Sequence, residues 1–125
     1  MKTFKMLMML AVLAGAMVMV GCSKKNSATI DVKVLKAGVP QANERVYMFR
    51  GNLQEAFLEH PVHASKNIAT DETGVASFDI KSDDFGAGND QVTFVFETFD
   101  EDENVTGKVA ASVRKGDAKT VTINQ

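Results

Sequence analysis

Ile30-Asp31-Val32-Lys33-Val34 alternates branched apolar residues with charged ones. A repeat of two is the repeat of a pleated strand, so residues 30, 32 and 34 share one face and residues 31 and 33 the other. The stretch predicts a half-buried antiparallel strand. Downstream, Ala37-Gly38-Val39-Pro40 carries turn chemistry. Arg45-Val46-Tyr47-Met48-Phe49 then predicts a second strand, apolar on both faces at its end.

The same alternation recurs toward the C-terminal side. Residues 67–70 form a brief candidate strand, and Asp71-Glu72-Thr73-Gly74 a tight turn in which Gly74 supplies a backbone conformation other residues resist. Residues 75–80 place Ala76, Phe78 and Ile80 on one face. Residues 91–99 place Val92, Phe94 and Phe96 inward and Thr93, Val95 and Glu97 on the opposite face. Residues 105–113 and 120–123 point Val109, Ala111, Val113, Val121 and Ile123 inward, with turns at 100–104 and at Lys115-Gly116-Asp117. Asn52 to His60 departs from this period. Asn52 with Glu55 fits a capping box, Leu53, Ala56 and Phe57 share a helical face, and Pro61 stops the turn. The expectation is an all-β, antiparallel, immunoglobulin-like sandwich of about seven strands with one short helical insertion.

The remaining sequence bounds the function. The chain has 125 residues, 14 Lys and Arg against 16 Asp and Glu, and a single Cys. One Cys forms no intrachain disulfide, and with two His it builds no cysteine-rich zinc site. The acidic balance argues against a nucleic-acid partner, which calls for a basic face.

Lys2 and Lys5 precede the uncharged run Met6 to Val20, which ends at Met19-Val20-Gly21-Cys22. The run is short of the roughly 20 residues needed to span a bilayer and suits a secretory signal. Its end resembles the lipobox of bacterial lipoproteins, with Met19 where that pattern has an aliphatic residue, often Leu. The resemblance implies cleavage after Gly21, diacylglycerol on the Cys22 thiol, and a membrane anchor strengthened with each added acyl chain. Ser23, in place of Asp, implies the outer membrane. Residues 1–21 are then a signal peptide, 22–28 the lipidated Cys with its tether, and 29–125 the domain. Loss of Lys2 and Lys5 leaves 12 cations against 16 carboxylates.

Three stretches of the domain resemble the transthyretin-like, or carboxypeptidase regulatory-like, β-sandwich: Val32-Lys33-Val34 through Gly38-Val39-Pro40 to Asn43–Met48; Thr70-Asp71-Glu72-Thr73-Gly74-Val75-Ala76-Ser77-Phe78; and Gly107 to Ile123, where the final strands are expected to pair. That family is a scaffold for adhesion, docking and carbohydrate binding, so the resemblance implies a fold rather than a task. The catalytic His and Arg set and the Tyr-Arg-Gly-Ser ending of its hydroxyisourate hydrolases are missing from the sequence.

Candidate chemistry is sparse. Asp100, Asp102 and Asn104 alternate like the first ligands of a calcium loop, but Val105 stands where that loop needs Gly and Ala111 where it needs Glu. Asp83, Asp84 and Asp90 form a second acidic loop, and the two loops become a shared cation site only if they meet. His60 and His63, spaced three apart beside Glu59, read as metal ligands on a helix and as exposed loop residues otherwise. Leu53, Phe57, His60 and His63 are the candidate partner-binding residues. Tyr47, Phe49, Phe57 and Phe99 form either an apolar patch or part of the core. No Ser lies in a Gly-x-Ser-x-Gly elbow. The expectation is a non-enzymatic, lipid-anchored envelope protein without a cofactor that binds an envelope protein or glycan through its loops or a sheet edge. A calcium-dependent module at Asp100, Asp102 and Asn104 is the alternative, and a small periplasmic hydrolase the third.

Overall fold

The computed structural model describes residues 27–51, 60–86 and 90–125. Eight strands lie among them: β1 Ala28–Lys36, β2 Val39–Pro40, β3 Arg45–Arg50, β4 Lys66–Ala69, β5 Val75–Ile80, β6 Gln91–Phe99, β7 Val105–Arg114 and β8 Ala118–Asn124. They form two four-stranded sheets. In one, β1 is flanked by β5 and β2 and also pairs with β8; the other runs β4-β3-β6-β7.

The alternation in β1 survives intact. Ala28, Ile30, Val32 and Val34 are buried, and the residues between them are half-exposed. Ala28 belongs to the core. From β5, Ala76, Phe78 and Ile80 meet Phe94 and Phe96 of β6 across the interior. The Phe78 and Phe96 rings lie 5.0 Å apart, tilted by 56°. Fully burying a side chain of this size contributes about 1.5–3 kcal/mol, so these layers carry the stability.

Three sequence expectations are corrected. Val39–Pro40 is a strand and not part of the turn, because its two residues pair with Leu35 and Lys36. The reversal is confined to Ala37 and Gly38, both with positive φ (52° and 80°). The final strands do not pair with each other. β8 crosses to the opposite sheet and lies parallel to β1 from Thr29↔Ala118 to Leu35↔Asn124, so one ladder of the sandwich is parallel. The acidic 83–90 loop is not wholly a solvated loop. Ser82–Phe85 is a 3-10 turn that drives Phe85 into the core. The helical expectation for 52–59 lies outside the described residues. His60 caps a 3-10 turn over Pro61–His63, its Nδ1 accepting from the Val62 amide at 3.4 Å.

The Thr70–Gly74 motif is explained residue by residue. The Thr70 hydroxyl donates to the Gln41 carbonyl and accepts from the Glu44 amide at 3.0 Å, pinning the β2–β3 loop. Asp71 Oδ1 accepts from the Thr73 hydroxyl (2.6 Å) and from the amides of Thr73 (2.8 Å) and Val75 (3.1 Å). Those bonds, the Thr73 hydroxyl first, hold the Asp71 carboxyl below its usual value, against a small opposing effect of desolvation. Gly74 has φ +82°, and a Cβ there would stand 2.9 Å from the Pro40 Cβ and 3.0 Å from the Gln41 nitrogen.

Lysines guard both open corners between the sheets. Lys66 of β4 reaches across to donate to the Asp79 carbonyl on β5 at 2.8 Å, and also meets the Asp84 carboxylate at 3.1 Å. Lys119 of β8 donates to the Ser112 carbonyl on β7. An ammonium on an edge carbonyl blunts the edge against a further strand.

Candidate functional site

Strand direction sorts the loops into two poles. At one pole the chain enters through Ser27, whose carbonyl accepts from the Gly116 amide at 2.7 Å, beside the 115–117 turn. The nine residues of β1 then carry the chain about 30 Å to Lys36 at the other pole. The 37–38, 71–74 and 100–104 turns gather at that distal pole, through the Val34–Gly74 and Gln125–Leu35 backbone bonds and the residues of a shared cleft.

The cleft, of about 520 Å³, is lined by Lys36, Gln41, Glu44, Phe99, Asp100, Glu101, Thr106 and Gln125. It lies at the strand ends of that pole, beside the last residues of β1 and β6 and the start of β7. Gln125 bridges the gap, its amide donating to Glu44 Oε1 (2.8 Å), Thr98 Oγ1 (3.1 Å) and Thr106 Oγ1 (3.3 Å). Phe99 is fixed on the other side by edge-on contacts with Tyr47 at 5.3 Å and Phe49 at 6.2 Å. The cleft thus has preset walls: a braced aromatic ring, an immobilised amide, and three carboxylates against one ammonium. Its volume lies within the roughly 300–1,000 Å³ of small-ligand sites.

The sequence-derived candidates map unevenly onto this picture. Tyr47, Phe49 and Phe99 do come together on the outer face of the second sheet, with Phe49 buried. Leu53, Phe57, Gly21 and Cys22 lie outside the described residues. His60 Nε2 meets the Glu103 carboxylate, and the His60 and His63 rings stand 6.3 Å apart at 68°. Val62 between them is 75% exposed.

Asp100, Asp102 and Asn104 are neighbours, and Asp100 is engaged within its own turn. Asp100 Oδ1 accepts from the Asp102 and Asn104 amides at 2.9 Å each, and Oδ2 lies 3.5 Å from the Asn104 side-chain amide. The alternating pattern is that of a side chain closing its own turn. Glu103, at φ +65°, completes the reversal. The two acidic loops do not meet: Asp90 precedes β6 and Asp100 follows it, with nine strand residues between them. Asp84 is taken up by the Lys81 amide at 2.9 Å and by Lys66. Among the described residues, no group of three or more His, Cys, Asp or Glu could hold a metal ion.

Glu97 is the residue whose environment the sequence misjudged. It lies on the outer face as expected, yet it is fully buried, and among the described residues neither carboxylate oxygen has a hydrogen-bond partner. Lys108, directly opposite on β7, stands 3.4 Å from Oε1, close enough to attract but not aligned to bond. Tyr47 lies opposite on β3. The available signal was that Val95 and Phe99, on the same face of the strand, are apolar. The cleft residues Gln41, Glu44, Thr106 and Gln125 had no sequence signal at all. They are scattered along the chain and meet only through topology. No protein-family model matches the chain, and no curated protein matches it.

Proposed function

We propose that the chain is an envelope lipoprotein, held in the outer membrane through acyl chains on Cys22, whose transthyretin-like sandwich is a non-enzymatic module that binds a glycan in the distal cleft. One observation carries this reading: the chain enters the domain at one pole and the cleft opens at the other. An anchor ahead of Ser27 leaves the cleft facing away from the bilayer by about the length of β1.

Supporting observations separate a glycan from other partners. The lysine-capped edges disfavour strand addition. A standard protein interface buries about 800 Å² per partner over a broad surface, whereas this cleft is small and concave. An aromatic ring beside planar amides and carboxylates matches a sugar, which offers C–H faces and hydroxyls that both donate and accept. A second reading, docking of an envelope protein, is favoured only by exposed Val62 between His60 and His63.

Two experiments test the proposal. Cys22→Ala should shift the protein from the membrane to the soluble fraction and abolish incorporation of labelled palmitate; unchanged fractionation overturns the anchor. The full-length protein should be retained on purified envelope polysaccharide, and Gln41→Ala and Phe99→Ala should lose retention while keeping a wild-type circular dichroism spectrum. Absence of retention for the wild type overturns the glycan reading, and cross-linking to one protein through Val62 replaces it with the second.

A further inference from the structure

We propose that Asn104 is the acceptor for an N-linked oligosaccharide, attached by a transferase in the cell envelope. This modification site goes beyond the cleft and rests only on the envelope location proposed above. Asn104-Val105-Thr106 is the one Asn-x-Ser/Thr stretch in the chain, and its middle residue is not Pro. The spacing lets a hydroxyl two residues on engage the Asn amide, a weak nucleophile whose nitrogen lone pair is shared with its carbonyl. Asp102, two places earlier, adds a carboxylate that a cationic group of the transferase can grip.

The fold presents this stretch where an enzyme can take hold of it. Glu101 to Thr106 are all exposed. A strand with one buried face alternates, so an unbroken exposed run entering β7 marks chain that stands clear of the sheet. Val105 is 45% exposed although it is apolar and already part of β7. The ladder shows why. Thr98 pairs with Gly107 and Phe99 with Val105, so Thr106 bulges out with no residue opposite. The Asn104 side-chain nitrogen lies 3.5 Å from Asp100 Oδ2, at the outer limit of a hydrogen bond, and is only weakly held. The Thr106 hydroxyl meets Thr98 Oγ1 at 2.8 Å and the Gln125 amide at 3.3 Å. A transferase frees that hydroxyl by opening the hairpin tip, where the bulge already leaves the ladder incomplete.

The co-reactant is an oligosaccharide carried on a polyisoprenyl pyrophosphate. Asn104 Nδ2 attacks the anomeric carbon of its first sugar. The nitrogen–carbon bond forms as the bond from that carbon to the pyrophosphate oxygen breaks. The lipid pyrophosphate leaves with the electron pair, and one Nδ2 proton passes to a base on the transferase.

The test uses the full-length protein purified from the membranes of its source cells. Tryptic peptide 82–108 contains Asn104, and fragmentation mass spectrometry should place an oligosaccharide on that residue. Asn104→Gln and Thr106→Ala should abolish the addition while keeping a wild-type circular dichroism spectrum. Thr106→Ser should keep it, and Asp102→Asn should lower occupancy about ten-fold, the loss of one charge-assisted bond. A bare Asn104 in protein whose Cys22 is acylated overturns the inference and leaves the envelope reading standing. An addition that survives Thr106→Ala, or that maps to another residue, also overturns it. Protein that retains residues 1–21 with Asn104 bare overturns the envelope reading, and the acceptor site falls with it.

Discussion

Removing the Lys108 ammonium should cost this domain far more than an ordinary surface lysine does. Glu97 is fully buried, its oxygens have no hydrogen-bond partner among the described residues, and the Lys108 ammonium stands 3.4 Å from Oε1. At that separation an effective dielectric of about 20 gives an attraction of about 5 kcal/mol. The Lys108 side chain is 31% exposed, so solvent screens part of this attraction. Desolvation of the carboxylate offsets most of the rest. Lys108→Met strands a buried charge, a lesion of about 3–5 kcal/mol when fully enclosed. With the screening, a loss of about 2–3 kcal/mol is expected, or about 10–20 °C in Tm for a domain of this size. Glu97→Leu removes the charge together with its desolvation cost, and should lie near wild type. The double variant Glu97→Leu/Lys108→Met should recover most of what Lys108→Met loses, because an apolar pair of similar volume commonly equals or exceeds a buried ion pair. Urea unfolding followed by circular dichroism at pH 7 measures all four corners of the cycle. If Lys108→Met lies within about 0.5 kcal/mol of wild type, the usual scatter of surface substitutions, the buried pair does not exist as described.

Three further outcomes follow from the turns and edges. Gly74→Ala forces a side chain into a positive φ and onto Pro40, and should cost about 2–3 kcal/mol by the same unfolding assay; a neutral result would refute the turn geometry. Asp71 is held below its ordinary 3.8 in the folded state, so its contribution is full above about pH 4 and fades as the pH falls through the lower folded value. The stability gap between wild type and Asp71→Asn should therefore be widest near neutrality and narrow in acid, and a gap independent of pH counts against the hydrogen-bonded carboxylate. Lys66→Ala combined with Lys119→Ala uncovers a carbonyl on each edge, and size-exclusion chromatography with light scattering should show self-association; a monomer at every concentration denies the lysines that role.

Much of the architecture was legible because burial in this domain is one-sided. The core faces of β1 and β5 follow the period of two without exception. Where burial is two-sided, the pattern misleads. Val95 and Glu97 share a face that looked solvated by its charge but is closed, and Phe85 reaches the core from a stretch rich in Asp. The partner of β8 was illegible for a different reason. Its Val121 and Ile123 fit an interior on either sheet equally well, and only the three-dimensional crossing delivers them to β1. The cleft was hidden because its residues lie at strand ends, where neither period nor motif marks them. The motif Thr70–Gly74 was visible as a turn, but its grip on residues 41–44 appears only once the Thr70 hydroxyl and Gly74 are seen against Pro40 and Gln41.

The parallel ladder of β1 and β8 has a mechanical consequence. On the proposed reading, load from a membrane tether would enter at Ser27 and run along β1 toward Lys36, while a polymer held in the cleft would pull from the far pole. Force along that axis meets β1 held by β5 on one flank and by β8, from Thr29↔Ala118 to Leu35↔Asn124, on the other. The strand must slide past both neighbours, so whole rows of bonds break together instead of unzipping singly. A fold arranged in this way resists being torn open by force applied between its two poles.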